Sequence, residues 1–140
     1  MKAQNELSNS ELLRAVSLLQ QATGIDKVRI TGGEPLVSQK FNDFLPAVMD
    51  LGLSDVSLTT NGQLLMVKRE VIARSGLQRM NISLDTLNPL KFKHIARGGD
   101  LNTVLQGIES MLDLGLRLKI NMVPMRGENL SDVVPMLHYC

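Results

Sequence analysis

Lys27-Val28-Arg29-Ile30-Thr31-Gly32-Gly33-Glu34-Pro35 decides the fold of this chain. Val28 and Ile30 alternate with Lys27, Arg29 and Thr31, the period of a half-buried strand. Two glycines at that strand's carboxyl end leave bare backbone for a ligand to approach. Glu34 adds a carboxylate acceptor for an amino group, and Pro35 fixes the backbone as the chain leaves the turn. On local composition alone the same five residues from Thr31 to Pro35 also fit a simple tight turn.

Outward from this strand the pattern repeats. Before it, Ser8 followed by Glu11 is a capping box, and Leu12, Leu13, Val16, Leu19 and Gln20 continue at helical spacing toward Gly24. After it the sequence predicts a helix from Phe41 to Leu51, a strand from Ser54 to Thr60, a helix from Leu64 to Ser75 and a strand from Leu77 to Asp85. A short helix from about Pro89 to Ala96, a longer one capped by Asp100 and running to Leu114, a strand from Leu116 to Val123 and a last helix from Asn129 to Tyr139 complete the reading. Strands joined by helical crossovers imply a parallel sheet. With no strand before the first helix or after the last, both outer strands are expected to be open edges, as in an interior portion of a larger fold.

The strands carry one apolar and one polar face. Val56 and Leu58 oppose Ser57 and Thr59; Met80, Ile82 and Leu84 oppose Asn81, Ser83 and Asp85; Leu118, Ile120 and Met122 oppose Lys119, Asn121 and Val123, so the second face is mostly polar. Helices can cover only the apolar face without stranding polar groups, so the other is expected to line water or a ligand, as inside a curved or barrel-like sheet. Arg29 and Lys119 suit an anion such as a phosphate chain, while the hydroxyls and amides suit a sugar or amino acid. An antiparallel or solvent-facing sheet would alternate too, but helical crossovers argue against antiparallel pairing.

Composition bounds the rest. The chain has 140 residues, 44% hydrophobic and 21% charged, with a formal net charge of +1. That is one soluble globular domain without the basic field nucleic acid requires or a basic amphipathic helix for membranes. No signal peptide or transmembrane run is found, and a cytoplasmic location, or the mitochondrial matrix in a eukaryote, is expected. The single cysteine, Cys140, excludes an internal disulfide and a multi-cysteine metal site within this sequence, and reads as a buried or incidental thiol. His94 and His138 have no metal-ligand partner in sequence and suit surface or cap roles. Met49, Met66, Met80, Met111 and Met122 sit at apolar-periodic positions that favour core packing for most of them. Arg97-Gly98-Gly99 fits a loop or a phosphate contact equally.

Arg29-Ile30-Thr31-Gly32-Gly33-Glu34-Pro35-Leu36, Leu58-Thr59-Thr60-Asn61-Gly62, Asn81-Ile82-Ser83-Leu84-Asp85 and Lys119-Ile120-Asn121, with Arg79, Arg97-Gly98 and Val123-Pro124-Met125-Arg126-Gly127, resemble in order and spacing the radical S-adenosylmethionine enzymes. Within these the chain is most similar to the GTP 3′,8-cyclase family of molybdenum cofactor biosynthesis. The resemblance implies an incomplete parallel (β/α) barrel of the radical type, with about four strands, helices outside, and both ligands in the lumen. It implies that Gly33 and Ser83, supported by Gly32 and Glu34, contact S-adenosylmethionine, and that Arg29, Thr59 and Lys119 contact GTP; Asn81, Asp85 and Asn121 support the same face. In the family a [4Fe–4S] cluster on three closely spaced cysteines cleaves S-adenosylmethionine to a radical, and a second cysteine set lies near the C-terminus. Neither set is present here, so residues 1–140 read as a single partial domain lacking both cysteine-bearing parts, with no identifiable catalytic or metal residue and no turnover expected from it alone. Ser38-Gln39 also departs from a position where the family usually has a basic residue. A cluster-free nucleotide-binding or interaction module, self-associating through its open edges, and a radical enzyme of another branch are the other readings.

Overall fold

The computed structural model describes residues 6–140. Strands β1 (Lys27–Ile30), β2 (Asp55–Thr60), β3 (Arg79–Ser83) and β4 (Arg117–Asn121) form one sheet in the order β1-β2-β3-β4. Every neighbouring pair is parallel. Helices α1 (Asn9–Thr23), α2 (Phe41–Met49), α3 (Leu65–Ser75), α4 (Pro89–Ile95), α5 (Leu101–Asp113) and α6 (Val133–Tyr139) are the crossovers and flanks. The capping box at Ser8 and Glu11 starts α1, and the carboxyl of Glu11 is held below its ordinary range chiefly by the Ser8 hydroxyl. The sheet with helices on its apolar face is the part-barrel that the alternation predicts.

The core lies between that face and the helices. Val56, Leu58, Met80 and Ile82 are buried beneath Leu45, Val48, Leu65, Ile72, Val104, Ile108 and Met111. Each such side chain contributes about 1.5–3 kcal/mol on leaving water. Close approach of α5 needs two small residues. A Cβ on Gly107 would lie 2.8 Å from Leu65 Cβ, and one on Gly62, whose φ is +81°, would lie 2.9 Å from Val104 Cγ1.

Several boundaries differ from the sequence reading. β3 begins at Arg79 rather than Leu77, because the Leu77 N–H is taken by the Ser75 hydroxyl at 3.2 Å. β4 stops at Asn121 because the Val123 N–H is bonded by the Asp85 carboxylate at 2.8 Å instead of a strand partner. The last helix divides: Leu130–Asp132 is a 3-10 turn, closed by Asp132 N–H donating to Asn129 C=O at 2.8 Å, and α6 follows it. An unforeseen 3-10 turn also covers Pro35–Val37. Although α1 has the expected periodicity, none of its residues is buried, and Leu18 and Leu19 remain exposed at the sheet's edge. Met80 and Met111 pack in the core as expected, while Met66 is exposed on α3. Cys140 is exposed too, at the end of α6, which removes the buried-thiol reading.

Candidate functional site

Alternation and register place the polar side chains in rows across one face. Arg29, Ser57, Arg79 and Arg117 are consecutive register partners, one per strand. Toward the carboxyl ends follow Thr59, Asn81 and Lys119, then Ser83 and Asn121. In the middle of this face the short side chains are sheltered among longer neighbours: Ser57 is 2% and Asn81 5% exposed. Asn81 Nδ2 donates to Thr59 Oγ1 at 3.3 Å, which leaves the Thr59 proton free for another acceptor. Arg29, Ser83 and Lys119 are exposed and Thr59 is half-buried. Thus the sequence's candidate contacts do share a face, reached from its two sides and from the carboxyl end. Arg29 and Lys119 stand three strand spacings apart, roughly 14 Å along the sheet.

At the amino ends the charge is mostly positive. Asp55 forms a two-pronged ion pair with Arg79, whose Nε donates at 2.6 Å. This guanidinium, aided by the charges of Lys27 and Arg117, holds the Asp55 carboxyl below the ordinary range and raises Arg79 in turn.

At the carboxyl ends, side chains tie the strand-following loops to one another. Glu34 Oε1 accepts from Leu36 N–H at 3.0 Å and the Thr60 hydroxyl at 2.8 Å, and Oε2 accepts from Asn61 N–H at 2.7 Å. The carboxylate predicted to receive a ligand's amino group thus also joins the β1 and β2 turns, with one acceptor site left on Oε2. Thr60, buried, also accepts from Gly62 N–H at 3.1 Å. Gln63 pairs its amide with the Asp100 backbone, donating to C=O at 3.0 Å and accepting from N–H at 3.1 Å. Asn129, fully buried, donates to the carbonyls of Asp85 and Val123 at 2.7 and 3.1 Å and accepts from Met125 N–H at 2.7 Å. Asp85, expected to support the ligand face, accepts from the Val123 N–H with its Oδ1 and so also ties down the loop after β4.

These latches frame a cleft of about 390 Å³ whose walls include Asn61, Ser83, Asp85, Phe92 and Arg97. Arg97 stands in its rim with φ +55°, a left-handed conformation unusual for a residue with a side chain. Its two glycine neighbours continue the loop, and Arg97 has no ion-pair partner among the described residues.

Two implied groups can be tested against these residues. Around Gly32 and Gly33, a Cβ would meet no atom within 4 Å, in contrast to Gly62 and Gly107. Packing does not keep these two glycines small; the space beside them lies open at the sheet's rim, beside the β1 turn that Glu34 fixes. The turn lines a hollow with Arg29, Thr31 and Glu34, whose polar groups and bare backbone fit the polar end of S-adenosylmethionine, whereas Ser83 lines the separate cleft with Asn61 and Arg97. An iron–sulfur cluster does not fit: among the described residues no group of three or more His, Cys, Asp or Glu could hold a metal. His94 instead lies 3.8 Å from Glu128 on the surface. No described helix is long and apolar enough to cross a membrane.

Residues 1–140 match the family model described as the Radical SAM superfamily. The chain is 47% identical over 112 residues to a GTP 3′,8-cyclase of Alkaliphilus oremlandii, an overlap of 79% of this chain and 35% of the relative. It is 40% identical over 135 residues to a GTP 3′,8-cyclase of Limosilactobacillus fermentum, covering 95% of this chain and 40% of the relative. It therefore spans about two fifths of the length of such relatives. In fold it is similar to Streptococcus suis SuiB in a crystal structure with S-adenosylmethionine, at TM-score 0.81 and 22% identity over 100% of this chain and 32% of that one.

Proposed function

We propose that this chain, which belongs to the radical SAM superfamily, forms central β/α units of a GTP 3′,8-cyclase of molybdenum cofactor biosynthesis. GTP lies over the polar face and S-adenosylmethionine at the carboxyl ends of β1 to β3. The observation that carries this reading is the gathering of Arg29, Thr59 and Lys119 on one face with Gly33 and Ser83 at its rim, in a chain 47% identical to a protein named for that reaction. Arg29 and Lys119 neutralise phosphate oxygens from opposite sides of the sheet. The Thr59 hydroxyl, its oxygen already bonded by Asn81, donates to the nucleotide. Backbone at Gly33 and the Ser83 hydroxyl orient the methionyl and sugar parts of S-adenosylmethionine, with the intervening Asn61 held by Glu34. What S-adenosylmethionine supplies in this family is a 5′-deoxyadenosyl radical that abstracts hydrogen from the ribose of GTP. The described residues bind and position; they include no cluster ligands, and 5′-deoxyadenosine is not expected from this chain with reductant.

Calorimetric titration with GTP tests the reading. Saturable binding should be lost in Arg29→Ala and in Lys119→Ala, while Gly33→Ala, whose methyl enters open space, should keep the fold and weaken S-adenosylmethionine. GTP affinity equal in wild type, R29A and K119A would sink it.

A further inference from the structure

We propose that Asn61 is a latent deamidation site, held unreactive by the hydrogen bonds that brace the rim of the sheet, and that its conversion releases this rim irreversibly. Asn61 is the only asparagine of the chain that glycine follows. In such a pair no side chain shields the following amide nitrogen, and the backbone turns most freely. The reaction joins Gly62 N to Asn61 Cγ as the amide proton leaves to hydroxide, and Nδ2 departs as ammonia. One water then opens the cyclic imide at either carbonyl, leaving aspartate or its isoaspartyl isomer. The sum is asparagine and water giving the acid and ammonia.

The structure withholds both reacting groups. The buried Gly62 N–H donates to Thr60 Oγ1 at 3.1 Å, and the Thr60 hydroxyl in turn donates to Glu34 Oε1 at 2.8 Å. Asn61 Oδ1 accepts from Gln63 N–H at 3.0 Å, and Asn61 N–H donates to Glu34 Oε2 at 2.7 Å, so neither the carboxamide nor its backbone turns freely. Gly62 is also packed against Val104 and Ile82. Attack on Cγ requires an aligned approach by a nitrogen that has lost its proton, which this turn permits only when it opens. Asn61 itself is exposed, so water reaches the imide once it forms. The isoaspartyl product inserts a methylene into the main chain between the two bonded N–H groups. Glu34 and Thr60 then cannot hold both, and the modification undoes the contacts that delayed it. The aspartyl product places a carboxylate in the wall that Asn61 shares with Ser83 and Asp85.

The test follows deamidation at position 61 by peptide mapping and mass spectrometry at mildly alkaline pH. It compares the full chain with the free peptide Thr59-Thr60-Asn61-Gly62-Gln63-Leu64 and with the variants T60V, T60S, E34Q and N129A, their folding confirmed by circular dichroism. The full chain should react about tenfold or more slowly than the peptide. T60V and E34Q should recover most of that factor, while T60S, which keeps the hydroxyl, should stay near wild type. N129A loses stability through other loops and measures what global unfolding alone contributes. Aged wild type carrying isoaspartate should melt below the fresh protein. A wild-type rate equal to the peptide's, or rates in T60V and E34Q no higher than in N129A, overturns the proposal.

Discussion

Replacing Glu34 with glutamine changes one atom of the latch that joins the β1 and β2 turns, and the structure fixes what it should cost. Both carboxylate oxygens accept backbone N–H groups, Oε1 from Leu36 and Oε2 from Asn61, and Oε1 also accepts from the Thr60 hydroxyl. An amide has one acceptor oxygen. Whichever way the substituted amide turned, its NH₂ would confront a backbone N–H, at Asn61 or at Leu36. Net contributions of hydrogen bonds to a charged group run about 1.5–3 kcal/mol, and the half-exposed setting favours the low end. E34Q is therefore expected to lose about 2 kcal/mol and E34A, which abandons all three contacts, about 4 kcal/mol. In a chain of this size, 2 kcal/mol lowers the melting temperature by about 4–8 °C. Urea and thermal unfolding followed by circular dichroism measure the loss. Amide hydrogen exchange localises it, since Asn61 N–H should exchange faster in E34Q while amides in the centre of β2 follow only the global change. A double cycle with Thr60→Val should show coupling above about 0.5 kcal/mol, on the scale usual for residues in contact. A midpoint within about 0.5 kcal/mol of wild type, with Asn61 exchange unchanged, would refute the latch.

Asn129→Ala should lose about 3 kcal/mol, because three neutral hydrogen bonds of about 1 kcal/mol each vanish from a fully buried site; chemical denaturation checks this, and a loss below about 1 kcal/mol would be too small for the role. Arg97→Gly should raise stability by about 0.5–1 kcal/mol, the left-handed penalty of about 1–2 less the entropy glycine adds to the unfolded chain; a lower melting temperature than wild type counts against strain at this position. Asp55, Asp100 and Asp132 have folded pKa values below their unfolded ones, owing first to Arg79, to the Thr103 N–H and to Lys91 respectively. Their stabilisation is complete above the unfolded carboxyl pKa of about 4 and is lost as pH falls through the lower folded values. Urea midpoints between about pH 2 and 6 should therefore drop on the acid side, with a shallower drop in D132N.

How much of this was legible in the sequence depends on the range over which each feature is decided. The face of every strand follows from a period of two, so the partition of Val28, Leu58, Met80 and Ile82 from Arg29, Thr59, Asn81 and Lys119 could be read directly. The Ser8 and Asp100 caps were equally local, each bonding an N–H three residues on. Glu34 lies 26 and 27 residues from its partners at Thr60 and Asn61, and nothing local separates a carboxylate that holds a turn from one that waits for a ligand. Asn129 carried no signal beyond its place after a Gly-Glu turn, yet its amide joins loops 44 residues apart. Strand ends were overextended for a related reason: side chains of Ser75 and Asp85 capture the N–H groups that would have continued the ladders.

The two ends of the face are consequently built on different physics. At the carboxyl ends the loops carrying Gly33, Asn61 and Ser83 are braced by Glu34, Thr60 and Asn129, groups whose short side chains bond the turns they join. A ligand there meets positions already fixed, and little ordering entropy opposes its binding. Toward the amino ends Arg29 and Arg117, and Lys119 one row further on, are long, exposed and without carboxylate partners within 4.0 Å among the described residues, so each must lose rotamer freedom when it engages an anion. Braced backbone suits a group that must be held at one distance from a reacting atom. Mobile cations suit a phosphate chain whose charge, more than its position, is recognised. Substitutions at the braced end should therefore disturb stability and ligand geometry together, whereas those at the cationic end should change affinity and its salt dependence while leaving the fold intact.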